Sequence, residues 1–276
     1  MKIAGLQKLT LLDYPGKTAC TVFTPGCDFR CPFCHNADLV VPAKNGGASG
    51  APAAGARTLT GLTAASSGST STPAESFPRV PEDELFAFLG KRHGLLDGVC
   101  VTGGEPTLQP DLADFLARVK AEGFAVKLDT NGTRPDVLRA LLDAGLVNMV
   151  AMDVKNAPAR YAETAGLAQE AFDLAPVEAS MRLLLARGVP FEFRTTVVAG
   201  LHTERDLEET ARWIARLARE EGADPAGVRW FLQNFEDAES VIAGPGRFAP
   251  WPEARLKSLL PPLRTTLPRA SVRGVS

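Results

Sequence analysis

At 276 residues the chain is long for one small domain and short for two, so one domain with a sizeable loop is expected. A hydrophobic fraction of 45% is ample for a buried core, and a net charge of −2 leaves no electrostatic footprint for nucleic acid or an acidic membrane surface. No uninterrupted apolar run could span a bilayer, and Met1-Lys2-Ile3-Ala4-Gly5-Leu6-Gln7-Lys8 lacks the apolar block of a signal peptide, so the expected location is cytoplasmic.

In chain order, Thr18 to Thr24 reads as a strand running into a group of cysteines. From Ala43 to Arg79 the sequence is Gly, Ala, Ser, Thr and Pro with almost no large apolar side chain, which cannot offset the entropy of ordering. We read 43–79 as a low-complexity, disordered insertion within a single domain over 1–276. Pro81-Glu82-Asp83-Glu84 starts a helix, with acids at the positive end of its dipole and Leu85, Phe88 and Leu89 on one face. Gly98 to Thr102 is a short buried strand ending at Gly103-Gly104. Helix, strand and helix then follow at Asp111 to Glu122, Phe124 to Asp129 and Pro135 to Ala144.

The alternation continues with a strand at Val147 to Val154, a helix at Pro176 to Arg187 and a strand at Phe191 to Val198. A long helix at Glu204 to Glu221 and a strand at Val228 to Phe235 complete it. Strands separated by helices imply an α/β fold with a parallel sheet and right-handed crossovers. Six such strands are too few for an eight-unit barrel, so the expected architecture is a partial (β/α)6 TIM-like barrel. Its chemistry belongs at the C-terminal ends of the strands.

Five cysteines are present, and Cys27, Cys31 and Cys34 fall in one short loop, Gly26-Cys27-Asp28-Phe29-Arg30-Cys31-Pro32-Phe33-Cys34-His35-Asn36. A disulfide framework would favour an even count and an exported chain, so metal binding in a reducing compartment fits better. Structural zinc would want a fourth ligand, which would have to be His35, Cys20 or Cys100. Three unrelated buried thiols are the other alternative. Three thiolates suit a 4Fe–4S cube whose fourth iron stays open for a substrate or cofactor.

Later strand ends carry further candidates. Thr102-Gly103-Gly104-Glu105-Pro106 allows close backbone approach to a ligand, or is a plain glycine turn. Lys127-Leu128-Asp129-Thr130-Asn131-Gly132 ends in a turn pair. Asp153 and Lys155, two apart on a strand, point to the same side, either as a surface ion pair or facing the barrel mouth. His35 borders the cysteines and is placed to shape a ligand pocket or tune a cluster; His93 reads as a solvated helix end, and His202 as a loop or cap residue. Cys20 and Cys100 read as small buried hydrophobes.

The spacing of Cys27, Cys31 and Cys34, with aromatic Phe33 before the third, resembles the radical S-adenosylmethionine (SAM) superfamily. The resemblance implies a radical-SAM-type partial barrel with a 4Fe–4S cluster, whose open iron chelates SAM's methionine amino and carboxylate groups. One electron then cleaves the sulfonium bond and releases a 5′-deoxyadenosyl radical. It further implies SAM contacts at Phe33, Gly103, Gly104, Glu105, Asp129, Thr130, Asp153, Lys155 and Arg194, with Glu105 near the methionine amino group. The match over most of the chain outside the insertion is to glycyl radical enzyme activating enzymes. There, positions matching Asp129, Thr130, Asp153 and the carbonyl of Ala151 form a monovalent cation site beside SAM. Their histidine after the last strand is missing, and Gln233 or Asn234 stands in its place.

Gly5-Leu6-Gln7-Lys8, Leu12-Asp13-Tyr14-Pro15-Gly16-Lys17, Cys34-His35-Asn36, the Lys127–Gly132 segment and Ala151-Met152-Asp153 are most similar to the activating proteins of anaerobic ribonucleoside-triphosphate reductase. The resemblance implies an oxidoreductase that makes a glycyl radical on that large partner, using an electron donor such as flavodoxin or ferredoxin, with neither nucleic acid nor membrane involved. No side-chain acid or base is required beyond the cluster and SAM. The insertion holds no cysteine, which argues against auxiliary ferredoxin-like clusters. The alternatives are a radical SAM enzyme acting on another glycyl radical enzyme or a small molecule, and a zinc- or iron-binding regulatory module without catalysis.

Overall fold

The computed structural model describes residues 1–41 and 79–273. Apart from Arg79, the expected insertion over 43–79 lies outside the described residues. The strands form one open sheet in sequence order, β1 (Gly5–Thr10), β2 (Ala19–Thr24), β3 (Gly98–Gly103), β4 (Ala125–Thr130), β5 (Met149–Asp153), β6 (Phe191–Val197), β7 (Arg229–Asn234) and β8 (Arg269–Arg273). β2 to β7 are the six expected parallel strands, and two edge strands extend them: antiparallel β1 and parallel β8.

The helices are α1 (Ala37–Val40), α2 (Glu82–Gly90), α3 (Leu112–Ala121), α4 (Pro135–Asp143), α5 (Tyr161–Ala165), α6 (Ala175–Ala186), α7 (Glu204–Glu220), α8 (Glu253–Ser258) and α9 (Leu260–Arg264). α7 starts with a capping box. Thr203 Oγ1 accepts the Asp206 N–H, and Asp206 Oδ2 accepts the Thr203 N–H at 2.8 Å, satisfying two helix-start donors. Among the described residues no helix is long and apolar enough to cross a membrane.

Strand periodicity sorts the side chains. Val99, Val101, Val126, Leu128, Val150, Met152, Phe193 and Leu232 are buried in the main apolar core. The alternate residues turn to the inside of the curled sheet, where small and polar side chains predominate. At the strand N-termini Tyr14, 3% exposed, packs on Ala19, Met149 and Ala125 and closes that end. A Cβ on Gly98 would lie 2.7 Å from the Ala125 carbonyl and 3.0 Å from the Tyr14 ring, so glycine is required for the plug to seat.

Candidate functional site

The cysteine loop leaves β2 at Thr24 and is held on both flanks. On one, Thr24 pairs with Gly103 across β2 and β3, Gly104 N–H donates to the Thr24 carbonyl (2.8 Å) and Glu105 N–H donates to the Gly26 carbonyl (2.7 Å). A Cβ on Gly104 would sit 1.9 Å from Gly26 O, and one on Gly103 2.3 Å from Thr24 N. The glycine pair is therefore needed for the approach of two strand ends, whatever ligand lies beyond. On the other flank, Ile242 and Ala243 donate backbone N–H groups to the carbonyls of Cys34 and Pro32, each at 3.0 Å. Arg30 N–H meets the Ala165 carbonyl at 2.9 Å, beside Gly166, whose φ of 72° caps α5.

Cys27, Cys31 and Cys34 all line one cavity of about 250 Å³, together with Phe33 and residues from β4, β5 and β6. Burial pushes the Cys27 thiol up to about 12 and Cys31 up to about 11, and raises Cys34 as well. Thiols so desolvated keep their protons until a metal displaces them. Among the described residues no group of three or more His, Cys, Asp or Glu could hold a single metal ion, as structural zinc would need. Three thiols spread around one cavity suit a polynuclear iron–sulfur group, which takes one thiolate per iron. Asn131 Nδ2, bonded to Asp28 Oδ1 (2.7 Å), lies 3.9 Å from Cys27 Sγ, and the Phe29 N–H donates to that sulfur at 3.4 Å.

Facing the thiols is a chain of alternating charges. Asp153 and Arg194 are register partners on β5 and β6. Arg194 Nη1 donates to Asp129 Oδ2 (2.9 Å), while its Nε donates to Asp153 Oδ1 (3.0 Å). Lys155 Nζ reaches Asp153 Oδ2 at 2.8 Å, and Lys127 bonds Asp129 Oδ1 from below. Burial opposes the charge on Asp129, but Arg194 and Lys127 outweigh it and hold the carboxyl below its usual range. Asp153 is held well below that range, against its burial, by Arg194 and Lys155. Both cations are raised in turn by their carboxylates despite their own desolvation.

Phe33, Gly103, Gly104, Asp129, Thr130, Asp153, Lys155 and Arg194 thus line the same cavity as the thiols. Glu105 does not. It is fully buried behind the wall, where Oε1 accepts from Thr107 N–H (3.1 Å) and Thr130 Oγ1 (2.7 Å), and Oε2 accepts the Asn131 N–H (2.6 Å). Burial pushes its carboxyl up to about 7, against these bonds, which favour the anion. Its position makes it a brace between the β3 and β4 loops. The carboxylates of Asp129 and Asp153, expected to hold a monovalent cation, are ion-paired with Lys127, Arg194 and Lys155.

Some contributions were not read from the sequence. Thr102, Thr196 and Asn36 line the cavity, and Asn36 Nδ2 donates to the Gly103 carbonyl at 3.2 Å. Strand parity would have found Thr196, two residues past Arg194. Of the two last-strand candidates, Gln233 lines the cavity, whereas Asn234 exchanges two hydrogen bonds with the Trp251 backbone. His35 stacks on Phe235 with ring centroids 5.3 Å apart. His202 is a buried bridge: Nδ1 accepts the Val198 N–H (3.2 Å), which places the proton on Nε2 for the Lys155 carbonyl (2.8 Å). Cys100 packs not among apolar groups alone but 3.7 Å from both Lys127 Nζ and Asp129 Oδ1. No sequence signal marks either of these last two roles.

An open parallel barrel with three thiols and an ion-paired rim facing one cavity defines a metallocofactor-dependent α/β enzyme class. The family model of the radical SAM superfamily matches residues 21–214, and the chain belongs to that superfamily, whose members use a 4Fe–4S cluster and SAM. A Methanocaldococcus jannaschii protein named for glycyl-radical enzyme activation is 31% identical over 214 residues, covering 77% of this chain and 75% of the relative. The benzylsuccinate synthase activating enzyme of Thauera aromatica is 25% identical over 254 residues, covering 78% and 74%. A radical SAM methyltransferase from Sphaerobacter thermophilus superposes with a TM-score of 0.63 over 96% of this chain and 68% of its own, at 16% identity, and shares the fold.

Proposed function

We propose that this chain is an oxidoreductase of the radical SAM type that activates a glycyl radical enzyme, and that its target is anaerobic ribonucleoside-triphosphate reductase. The observation that carries this reading is one cavity walled by Cys27, Cys31 and Cys34 on one side and by Asp129, Asp153, Lys155 and Arg194 on the other. The relatives named for glycyl radical enzyme activation support the partner class. The Leu12–Lys17 and Lys127–Gly132 segments favour the reductase as the particular target.

The three cysteines would hold the 4Fe–4S cluster, which when bound supplies the electron that cleaves SAM's sulfonium bond. The chain's own residues bind, orient and shield. Lys155 and Arg194 offer charge to SAM's carboxylate and hydroxyls, while Asp129 and Asp153 fix both cations. Phe33, 4% exposed, and the backbone at Gly103 and Gly104 close the cavity wall. The hydrogen-atom transfer that SAM would support needs no protein acid or base. The enzyme works in the cytoplasm as one radical SAM domain with residues 43–79 inserted, and takes its electron from a flavodoxin- or ferredoxin-type donor.

The test is anaerobic incubation of the reconstituted protein with SAM, a reductant and the reductase. A glycine-centred radical on the reductase, with 5′-deoxyadenosine released in proportion, is expected. 5′-Deoxyadenosine without a protein radical would remove the reductase as target; neither product would remove the chemistry.

A further inference from the structure

Lys127 stands two residues before Asp129 on β4, so both side chains turn to the inside of the sheet. It is 1% exposed, among the least solvated polar residues of the protein, and it does not line the cavity. Lysine is almost never fully buried unless paired, because desolvating an ammonium is costly. Here the ammonium bonds Asp129 Oδ1, and Cys100 Sγ lies 3.7 Å from it. The proposed reaction has no use for a charge at this depth.

Its effect follows from how the oxygens are shared. Asp129 gives one oxygen to Lys127 and the other to Arg194, and Asp153 gives one to Arg194 and the other to Lys155. Arg194 is therefore divided between two carboxylates, with Nη1 on Asp129 and Nε and Nη2 on Asp153. Without the ammonium below, Asp129 Oδ1 would be a buried anionic oxygen with no cation. The favourable remedy is a fork-to-fork pair in which Asp129 takes two N–H groups of Arg194. That withdraws the guanidinium from Asp153 and frees the Asp153–Lys155 pair at the far end.

We propose that Lys127 is a positioning residue for SAM: from beneath the cavity it saturates Asp129, so that Arg194 stays shared and Asp153 and Lys155 keep their places. The proposal rests on the reading that SAM occupies this cavity. Lys127 acts through Asp129 and touches no ligand.

Anaerobic calorimetry of SAM binding to the cluster-loaded protein tests it, with Lys127→Met, Lys127→Arg, Asp129→Asn and the double variant Lys127→Met/Asp129→Asn. Lys127→Met should weaken SAM binding about tenfold, the scale of losing a group that orients a ligand contact. Iron content and the visible absorbance of the cluster should not change. Lys127→Arg should restore most of the affinity, and the double variant should bind no more weakly than Asp129→Asn, since Lys127 has nothing left to saturate. If Lys127→Met does not fold, Lys127→Gln, which can still donate without a charge, should show the same loss in smaller measure. Wild-type SAM affinity in the Met and Gln variants, or losses that add in the double variant, would overturn the proposal. If Asp129→Asn itself binds SAM normally, the reading of the cavity fails first and the role of Lys127 with it.

Discussion

Asp153 on β5 and Arg194 on β6 sit directly opposite each other, and the guanidinium of Arg194 bridges from Asp153 to Asp129 on β4. Three consecutive parallel strands are thus joined by a single side chain. Arg194 is 15% exposed and Asp129 11% by side chain, so the pair is largely desolvated.

Arg194→Met should therefore destabilise the fold by about 3 kcal/mol, because it leaves the buried carboxylate of Asp129 and the half-buried one of Asp153 with one lysine each. Arg194→Lys should recover only part of this, since an ammonium cannot span both acids as the planar fork does. Anaerobic urea denaturation reads both values. A Met variant as stable as the wild type would mean that the pairs are solvated contacts of little weight.

Gly104→Ala places a methyl group 1.9 Å from the Gly26 carbonyl, where neither partner is a flexible side chain. The cost should be about 1–3 kcal/mol of strain, relieved by moving the cysteine loop. Iron uptake on reconstitution should fall with it, while circular dichroism keeps its helical content. Alanine at Gly188, where φ is likewise outside the left-handed region and the added Cβ meets nothing within 4 Å, is the control for the substitution itself. Full iron incorporation in the Gly104 variant would contradict the packing role.

His202 gives a pH signature. Burial lowers its pKa below the ordinary value, so the unfolded chain takes up a proton first as pH falls. Its contribution to stability is complete above about 6.5 and is lost as pH drops below that toward the folded-state value. Between about pH 7.5 and 5.5 the melting temperature of the wild type should therefore fall more steeply than that of His202→Gln. Parallel curves would assign the histidine no titrating role.

Much of this arrangement was legible in the sequence because strand parity and strand ends are local properties. The six inner strands are short runs separated by helices, and Asp129, Asp153 and Lys155 lie at or just past strand ends, while Arg194 lies midway along β6 on the same face by parity. The edges were not legible. β1 and β8, Gly-Leu-Gln-Lys-Leu-Thr and Arg-Ala-Ser-Val-Arg, carry one apolar face at most and gain their conformation from pairing with β2 and β7. Glu105 lies in a loop, where no period fixes direction, and its partners Thr130 and Asn131 are supplied by another strand. His202 and Lys127 likewise depend on contacts that only the tertiary fold makes.

Replacing Cys27, Cys31 or Cys34 singly by serine should abolish cluster retention, whereas Cys20→Ser and Cys100→Ser should not. The first three share the cavity, while Cys20 lies in the apolar core and Cys100 sits below the ion chain. Iron and sulfide analysis after anaerobic reconstitution separates the two groups. Retention by a serine variant of the triad would shift the ligand set.

The most direct test of the central claim is Mössbauer spectroscopy of the chain reconstituted with Mössbauer-active iron, before and after SAM is added. Three thiolates on a 4Fe–4S cube predict that one iron in about four changes its spectrum on SAM addition while the other three do not. A spectrum that is unchanged by SAM, or in which all irons respond alike, would contradict an open iron facing the cavity.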